Sequence, residues 1–131
     1  MLDTIKPESL LYIDIETVPC FSSITELDDE MRSLYLKKSE RLHVVGETED
    51  EKYFNHAGIF AEFGKIICIS VGILFKEKRN PDYRFRIKSF YGHDEKELLR
   101  DFAALLNKYY KDSSKYFFAG HNVREFDVPY L

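Results

Sequence analysis

Residues 65–75 (Lys-Ile-Ile-Cys-Ile-Ser-Val-Gly-Ile-Leu-Phe) constrain the fold more than any other stretch of the chain. The run is short, largely apolar and rich in β-branched side chains. That pattern predicts a central strand buried on both faces, and such a strand needs cover on both sides of its sheet. Asn80-Pro81-Asp82 follows as a turn signal. In residues 83–91, Tyr83, Phe85 and Ile87 then alternate with Arg84, Arg86 and Lys88. Period-two alternation predicts a strand with one solvated face, paired antiparallel to its predecessor.

The rest of the chain supplies the cover. Residues 10–18 read as a strand interrupted by Asp14 and Glu16. Ser23 with Glu26 is a capping-box signature, and Leu27, Met31, Leu34 and Tyr35 continue at helical spacing, predicting a helix to about Arg41. Residues 46–56 are charged and read as a surface loop. His93-Asp94-Glu95 opens a helix to about Tyr110, with Leu98, Leu99, Phe102, Leu105, Leu106 and Tyr109 as its apolar stripe. Residues 115–120 read as a short buried strand, with Phe117 and Phe118 in the core. Asp127-Val128-Pro129 announces a helix, with Asp127 as cap and proline in the first turn. The order predicts an α/β fold: a mixed sheet flanked by helices, in one domain over residues 1–131.

Composition narrows the class. A hydrophobic content of 44% suits an ordinary globular chain. No stretch approaches the roughly 18 consecutive apolar residues of a membrane helix, and the N-terminus lacks a basic region followed by an apolar core. A cytoplasmic location is therefore expected, with no membrane partner. The net charge of −4 argues against gripping nucleic acid by bulk electrostatics. A carboxylate-rich metal site would itself contribute acidity. Cys20 and Cys68 are the two cysteines, and neither forms a zinc-ligand spacing with the histidines.

Two constellations carry chemistry. Alternation places Asp14 and Glu16 on one face of their strand, about 7 Å apart along the backbone. Carboxylates held on a rigid strand suit hard cations such as Mg²⁺ or Mn²⁺. Two such ions roughly 3.5–4 Å apart can clamp the attacking and leaving oxygens of a phosphodiester. Because Leu11, Ile13 and Ile15 fill the opposite face, unpaired acids here would be costly. The plainer reading is an acidic pair at an exposed strand end, or one neutralised by basic residues. The second constellation, residues 120–127 (Gly-His-Asn-Val-Arg-Glu-Phe-Asp), lies where a strand gives way to a helix, a frequent ligand position in open α/β sheets. Asp127 is there either a further metal carboxylate or the helix cap. His121 at this strand end reads first as structural and second as a substrate contact. Arg84, Arg86 and Lys88 read first as a solvated face that discourages edge pairing, and second as phosphate contacts.

Taken together, the segments resemble a known family. Asp14-Ile15-Glu16-Thr17 is similar to the first motif of the DEDD 3'–5' exonuclease superfamily, and Asn122 with Phe126-Asp127 to its second, N-x-x-x-[FY]-D. The resemblance runs over nearly the whole chain and is nearest to bacterial exonucleases related to the proofreading domain of B-family DNA polymerases. It implies a ribonuclease-H-like fold and two ions, Mg²⁺ or Mn²⁺. Asp14 would bridge both ions, Glu16 would hold the one carrying the attacking water, and Asp127 would serve the second. Thr17 would lie beside the substrate's 3' end, and Asn122 and Phe126 would position the terminal nucleotide. The partner would be a single-stranded 3' end, DNA favoured over RNA, and the product a nucleoside monophosphate. The family's third motif, Y-x-x-x-D or H-x-x-x-x-D, has no counterpart in residues 128–131, so the domain reads as C-terminally incomplete and feeble on its own.

Two other readings stand beside this one. A haloacid-dehalogenase-like phosphatase would use Asp14 as nucleophile. However, Glu16 replaces its second aspartate, Thr17 comes one residue early, and a hairpin before the long helix disagrees with a parallel sheet. Released inorganic phosphate would mark it. A non-catalytic module on the same fold would hold a nucleic-acid end or a protein without cutting.

Overall fold

A computed structural model describes residues 5–131. Residues 1–4, which belong to the N-terminal stretch read above for a leader, lie outside the described residues.

Strand β1 (Leu10–Pro19) leads through a 3₁₀ turn (Ile24–Glu26) to helix α1 (Asp29–Ser39) and helix α2 (Glu49–His56). Strand β2 (Gly64–Lys76), strand β3 (Tyr83–Tyr91), helix α3 (Glu95–Tyr109), strand β4 (Phe117–Ala119) and helix α4 (Asp127–Tyr130) follow. The strands form one sheet in the order β3-β2-β1-β4. β2 pairs antiparallel with β3, from Cys68↔Tyr91 to Lys76↔Tyr83, and β1 pairs parallel with β4, from Leu10↔Phe117 to Tyr12↔Ala119. The fold is therefore α/β, a four-stranded mixed sheet flanked by helices, with β2 in the interior as its apolar run requires.

Two compact units divide the chain. Residues up to 16 together with 67–131 form one, and residues 17–66 form the other. In the first, Leu11, Ile13 and Ile15 of β1, Ile69 and Val71 of β2 and Phe90 of β3 are buried with Leu98 and Phe102 of α3. The rings of Phe90 and Phe102 meet edge to face at 6.3 Å. α3 keeps this place because its apolar stripe recurs at helical spacing and Asp94 caps it, accepting a hydrogen bond from the Glu97 N–H at 3.1 Å.

The second unit is centred on Tyr35 and Tyr53, both fully buried, with Ile24, Leu27, Ala57 and Phe63 around them. Tyr35 meets Tyr53 edge to face at 5.0 Å and Phe63 at 5.2 Å, and its hydroxyl donates to the Lys52 carbonyl at 2.8 Å. Burial pushes the Tyr35 phenol up to about 12, since the ionised form would lose its hydration.

Several expectations need correction. The single helix expected from Ser23 to Arg41 is two pieces. Ser23 and Glu26 do form a capping box, but around the 3₁₀ turn, while α1 starts later with Asp28 as its cap. Leu34, expected on the buried stripe, is exposed. The charged segment read as a loop contains α2, whose Thr48 and Glu51 form a second capping box. Tyr53 supplies that helix with its buried anchor. β3 is exposed on both faces except at Phe90, so Phe85 and Ile87 are not core. Tyr109, Phe117 and Phe118 are also exposed rather than buried. β4 is a short outer strand, which leaves its side chains without a second neighbour strand.

Candidate active site

The site begins with the pleat of β1. Leu11, Ile13 and Ile15 are 2%, 3% and 5% exposed, so alternation turns Tyr12, Asp14 and Glu16 to the other face. Asp14 and Glu16 are exposed there. Among the described residues, neither side chain takes part in a hydrogen bond or ion pair. Of the two plainer readings, neutralisation by basic residues is thus not what the fold builds, while an exposed acidic pair is. The expected burial cost is not incurred either, because the acids face outward. Tyr12 shares their face and meets the Phe85 ring edge to face at 5.5 Å. Phe85 lies over Gly72, where a Cβ would strike the ring.

The second constellation returns to β1 through a tight turn. A Cβ on Gly120 would stand 2.5 Å from the Ile13 carbonyl oxygen, so only glycine lets the chain leaving β4 pass so close to β1. Asn122 then adopts a left-handed conformation (φ 53°), which asparagine tolerates better than most residues. Its carbonyl accepts from the Glu125 and Phe126 N–H groups, both at 3.0 Å. The turn delivers Asp127 to the start of α4.

Asp127 is not the helix cap. Phe126 occupies the cap position with no side-chain cap bond, and Asp127 is the first helical residue. Its carboxylate instead reaches across to the sheet, where Oδ1 accepts the Ile15 backbone N–H at 3.0 Å. The β1–β4 register ends at Tyr12↔Ala119, and the Ile15 amide three residues on is satisfied by this carboxylate. Asp127 is 2% exposed, and no Lys, Arg or His among the described residues pairs with it. The bond fixes one carboxylate oxygen against β1.

The fold thus brings Asp127 to the residue lying between Asp14 and Glu16. Phe126, half-buried, meets the Tyr130 ring at 5.4 Å, while Asn122 and His121 are exposed. Thr17 is half-buried and belongs to the second unit. The donor chemistry, all carboxylate oxygen, suits Mg²⁺ or Mn²⁺. Among the described residues no three His, Cys, Asp or Glu side chains are already gathered into a metal-holding group. No helix among them is long and apolar enough to cross a membrane.

Sequence reasoning missed three parts of this site. Tyr12 was legible from the alternation that placed the two acids. Gly120 carried a signal as a glycine directly after a strand. The Phe85–Gly72 packing had none, since it depends on register.

No protein-family model matches the chain, and no curated protein or solved structure matches it.

Proposed function

We propose that this chain belongs to a metal-dependent 3'–5' exonuclease with a ribonuclease-H-like fold, acting on single-stranded ends, DNA before RNA. The observation that carries the reading is the Asp127 carboxylate bound to the Ile15 N–H, between Asp14 and Glu16. It ties Asp127, 112 positions along the chain, to the residue between Asp14 and Glu16.

Asp14, Glu16 and Asp127 would hold two divalent ions. Such ions supply Lewis-acid charge and a water acidic enough to attack at neutral pH. Asp14 and Glu16 present unengaged side-chain oxygens from a strand of the sheet. Asp127 is oriented by the backbone rather than by another side chain. Asn122 and Phe126 would hold the last nucleotide and Thr17 would border its 3' end. Hydrolysis breaks the last P–O3' bond. The water oxygen stays on phosphorus, a proton goes to the departing 3' oxygen, and a nucleoside monophosphate leaves.

The decisive assay is stepwise loss of nucleotides from a labelled single-stranded oligonucleotide with Mg²⁺ or Mn²⁺. It compares the chain, and any longer product of its reading frame, with the Asp14→Ala form of each. Metal-dependent release that Asp14→Ala abolishes supports the reading, and no release from either form overturns it.

A second reading, the non-catalytic module, is favoured by the exposure of Asp14 and Glu16, which also fits an ordinary solvated strand face. It predicts binding of nucleic-acid ends without hydrolysis.

A further inference from the structure

We propose that the α3 side of the sheet carries a second nucleic-acid contact, a cationic cleft walled by tyrosines that takes a single-stranded segment away from the reacting end. It rests on the reading of nucleic acid as the substrate, but it uses none of the acidic residues.

Pairing and pleat define its place. Phe90 of β3 packs on Phe102 of α3, so Arg86 and Lys88, at the same parity, face the helix. They flank a cleft of about 300 Å³ with a floor of Val71, Ile73 and Leu105 and a far wall of Tyr109 and Tyr110. Leu11, on the buried parity of β1, lies on this same α3 side, beside Leu106 and Tyr110. Asp14 and Glu16 have the opposite parity, so the cleft and the acidic pair occupy opposite faces of the sheet.

The cations are not consumed by the fold. Arg84 pairs with Glu77 at 2.9 Å, but neither Arg86 nor Lys88 pairs with a carboxylate among the described residues. Each lies over a ring, Arg86 over Phe75 at 4.6 Å and Lys88 over Phe90 at 4.3 Å. The charged groups themselves rest on these ring faces, and both residues stay exposed, so the charges remain open to a polyanion. Asp94, Glu97 and Asp101 lie with Lys88 around the adjoining cleft, and Lys108 stands on the rim beside Asp101. The cleft itself is lined by Arg86 and Lys88 and by no carboxylate, so in a chain of net charge −4 its lining is complementary to a polyanion.

The aromatic rings decide between polyanions. Tyr109 is 56% exposed. Tyr110 is shared with a neighbouring cleft that includes Tyr116 and the exposed Phe117 and Phe118. Cations interleaved with accessible ring faces are what single-stranded nucleic acid requires, phosphates on the first and bases on the second. A second copy of this chain is disfavoured, because two β3 edges meeting antiparallel would bring Arg84, Arg86 and Lys88 against their own kind.

The test is fluorescence anisotropy of a labelled oligothymidylate with the chain in EDTA, across about 50 to about 200 mM salt. The variants are Arg86→Gln with Lys88→Gln, and Tyr109→Ala, each checked for folding by circular dichroism. The double variant is expected to weaken binding about tenfold or more and to reduce the salt slope by about 1.4, two phosphates at about 0.7 each. Tyr109→Ala is expected to cost about tenfold with the slope unchanged. Undiminished binding by both folded variants would overturn the proposal, as would tighter binding of a poly-glutamate peptide, which would make an acidic protein segment the occupant. Binding that follows these changes, with no metal-dependent hydrolysis by the chain or by any longer product of its reading frame, would uphold the cleft and remove the exonuclease.

Discussion

The Ile15 backbone N–H donates to Asp127 Oδ1 at 3.0 Å, joining two residues 112 positions apart. The bond makes Asp127 both a structural acceptor and a candidate metal ligand, and substitution separates these roles. Asp127→Asn keeps an acceptor of the same shape and is expected to fold with a nearly unchanged urea midpoint. Asp127→Ala leaves a buried amide unpaired and is expected to lose about 1–3 kcal/mol. Both should lower Mn²⁺ affinity, measured by titration calorimetry. Equal stability losses in the two variants would mean that the side chain's charge, not its acceptor, holds the turn.

Gly120 sets how closely the turn approaches β1. Gly120→Ala forces a Cβ to within 2.5 Å of the Ile13 carbonyl oxygen, so backbone must shift. The expected cost is about 1–3 kcal/mol in a denaturant melt, accompanied by loss of the Asp127–Ile15 bond. Amide exchange at Ile15 reads that bond directly, and protection there should fall.

How much of this was legible is seen by comparing Asp14 with Asp127. Asp14 and Glu16 were placed on one face by alternation alone, because strand period is a local property. Asp127, two residues before Pro129, reads as either a helix cap or a metal carboxylate, and only the tertiary return of the chain shows the carboxylate bonded to β1 rather than capping the helix. The same limit applies to β3. Alternation gave its two faces, but whether anything covers Phe85 and Ile87 depends on other elements. α2 was a different kind of miss. Thr48 and Glu51 stood at capping-box spacing in the sequence, and the charged surroundings obscured them.

Those caps give a direct stability test. Thr48 Oγ1 accepts the Glu51 N–H at 3.2 Å while Glu51 accepts the Thr48 N–H at 2.9 Å. Thr48→Ala removes one half of the exchange and is expected to cost about 1 kcal/mol, read as a shift in the thermal midpoint. The partner contact makes Ser23 similar, since Asp50 of α2 accepts both the Ser23 hydroxyl, at 2.7 Å, and the Ile24 N–H, at 2.9 Å.

Stability should also depend on alkaline pH through Tyr35. Burial raises its phenol from 10.0 to about 12, so the folded chain keeps a proton that the unfolded chain has lost. The contribution is full below about pH 10 and falls as pH rises towards about 12. Urea midpoints over that window should decline for the wild type and decline less for Tyr35→Phe. Identical slopes would place the sensitivity elsewhere.

The central claim is that Asp14, Glu16 and Asp127 together bind divalent ions. The most direct measurement is Mn²⁺ binding by the chain, followed by calorimetry, with Asp14→Asn, Glu16→Gln and Asp127→Asn alongside. Each substitution is expected to weaken Mn²⁺ binding by about tenfold or more, at unchanged circular dichroism. No binding by the wild type, or binding that none of the three substitutions affects, would contradict it.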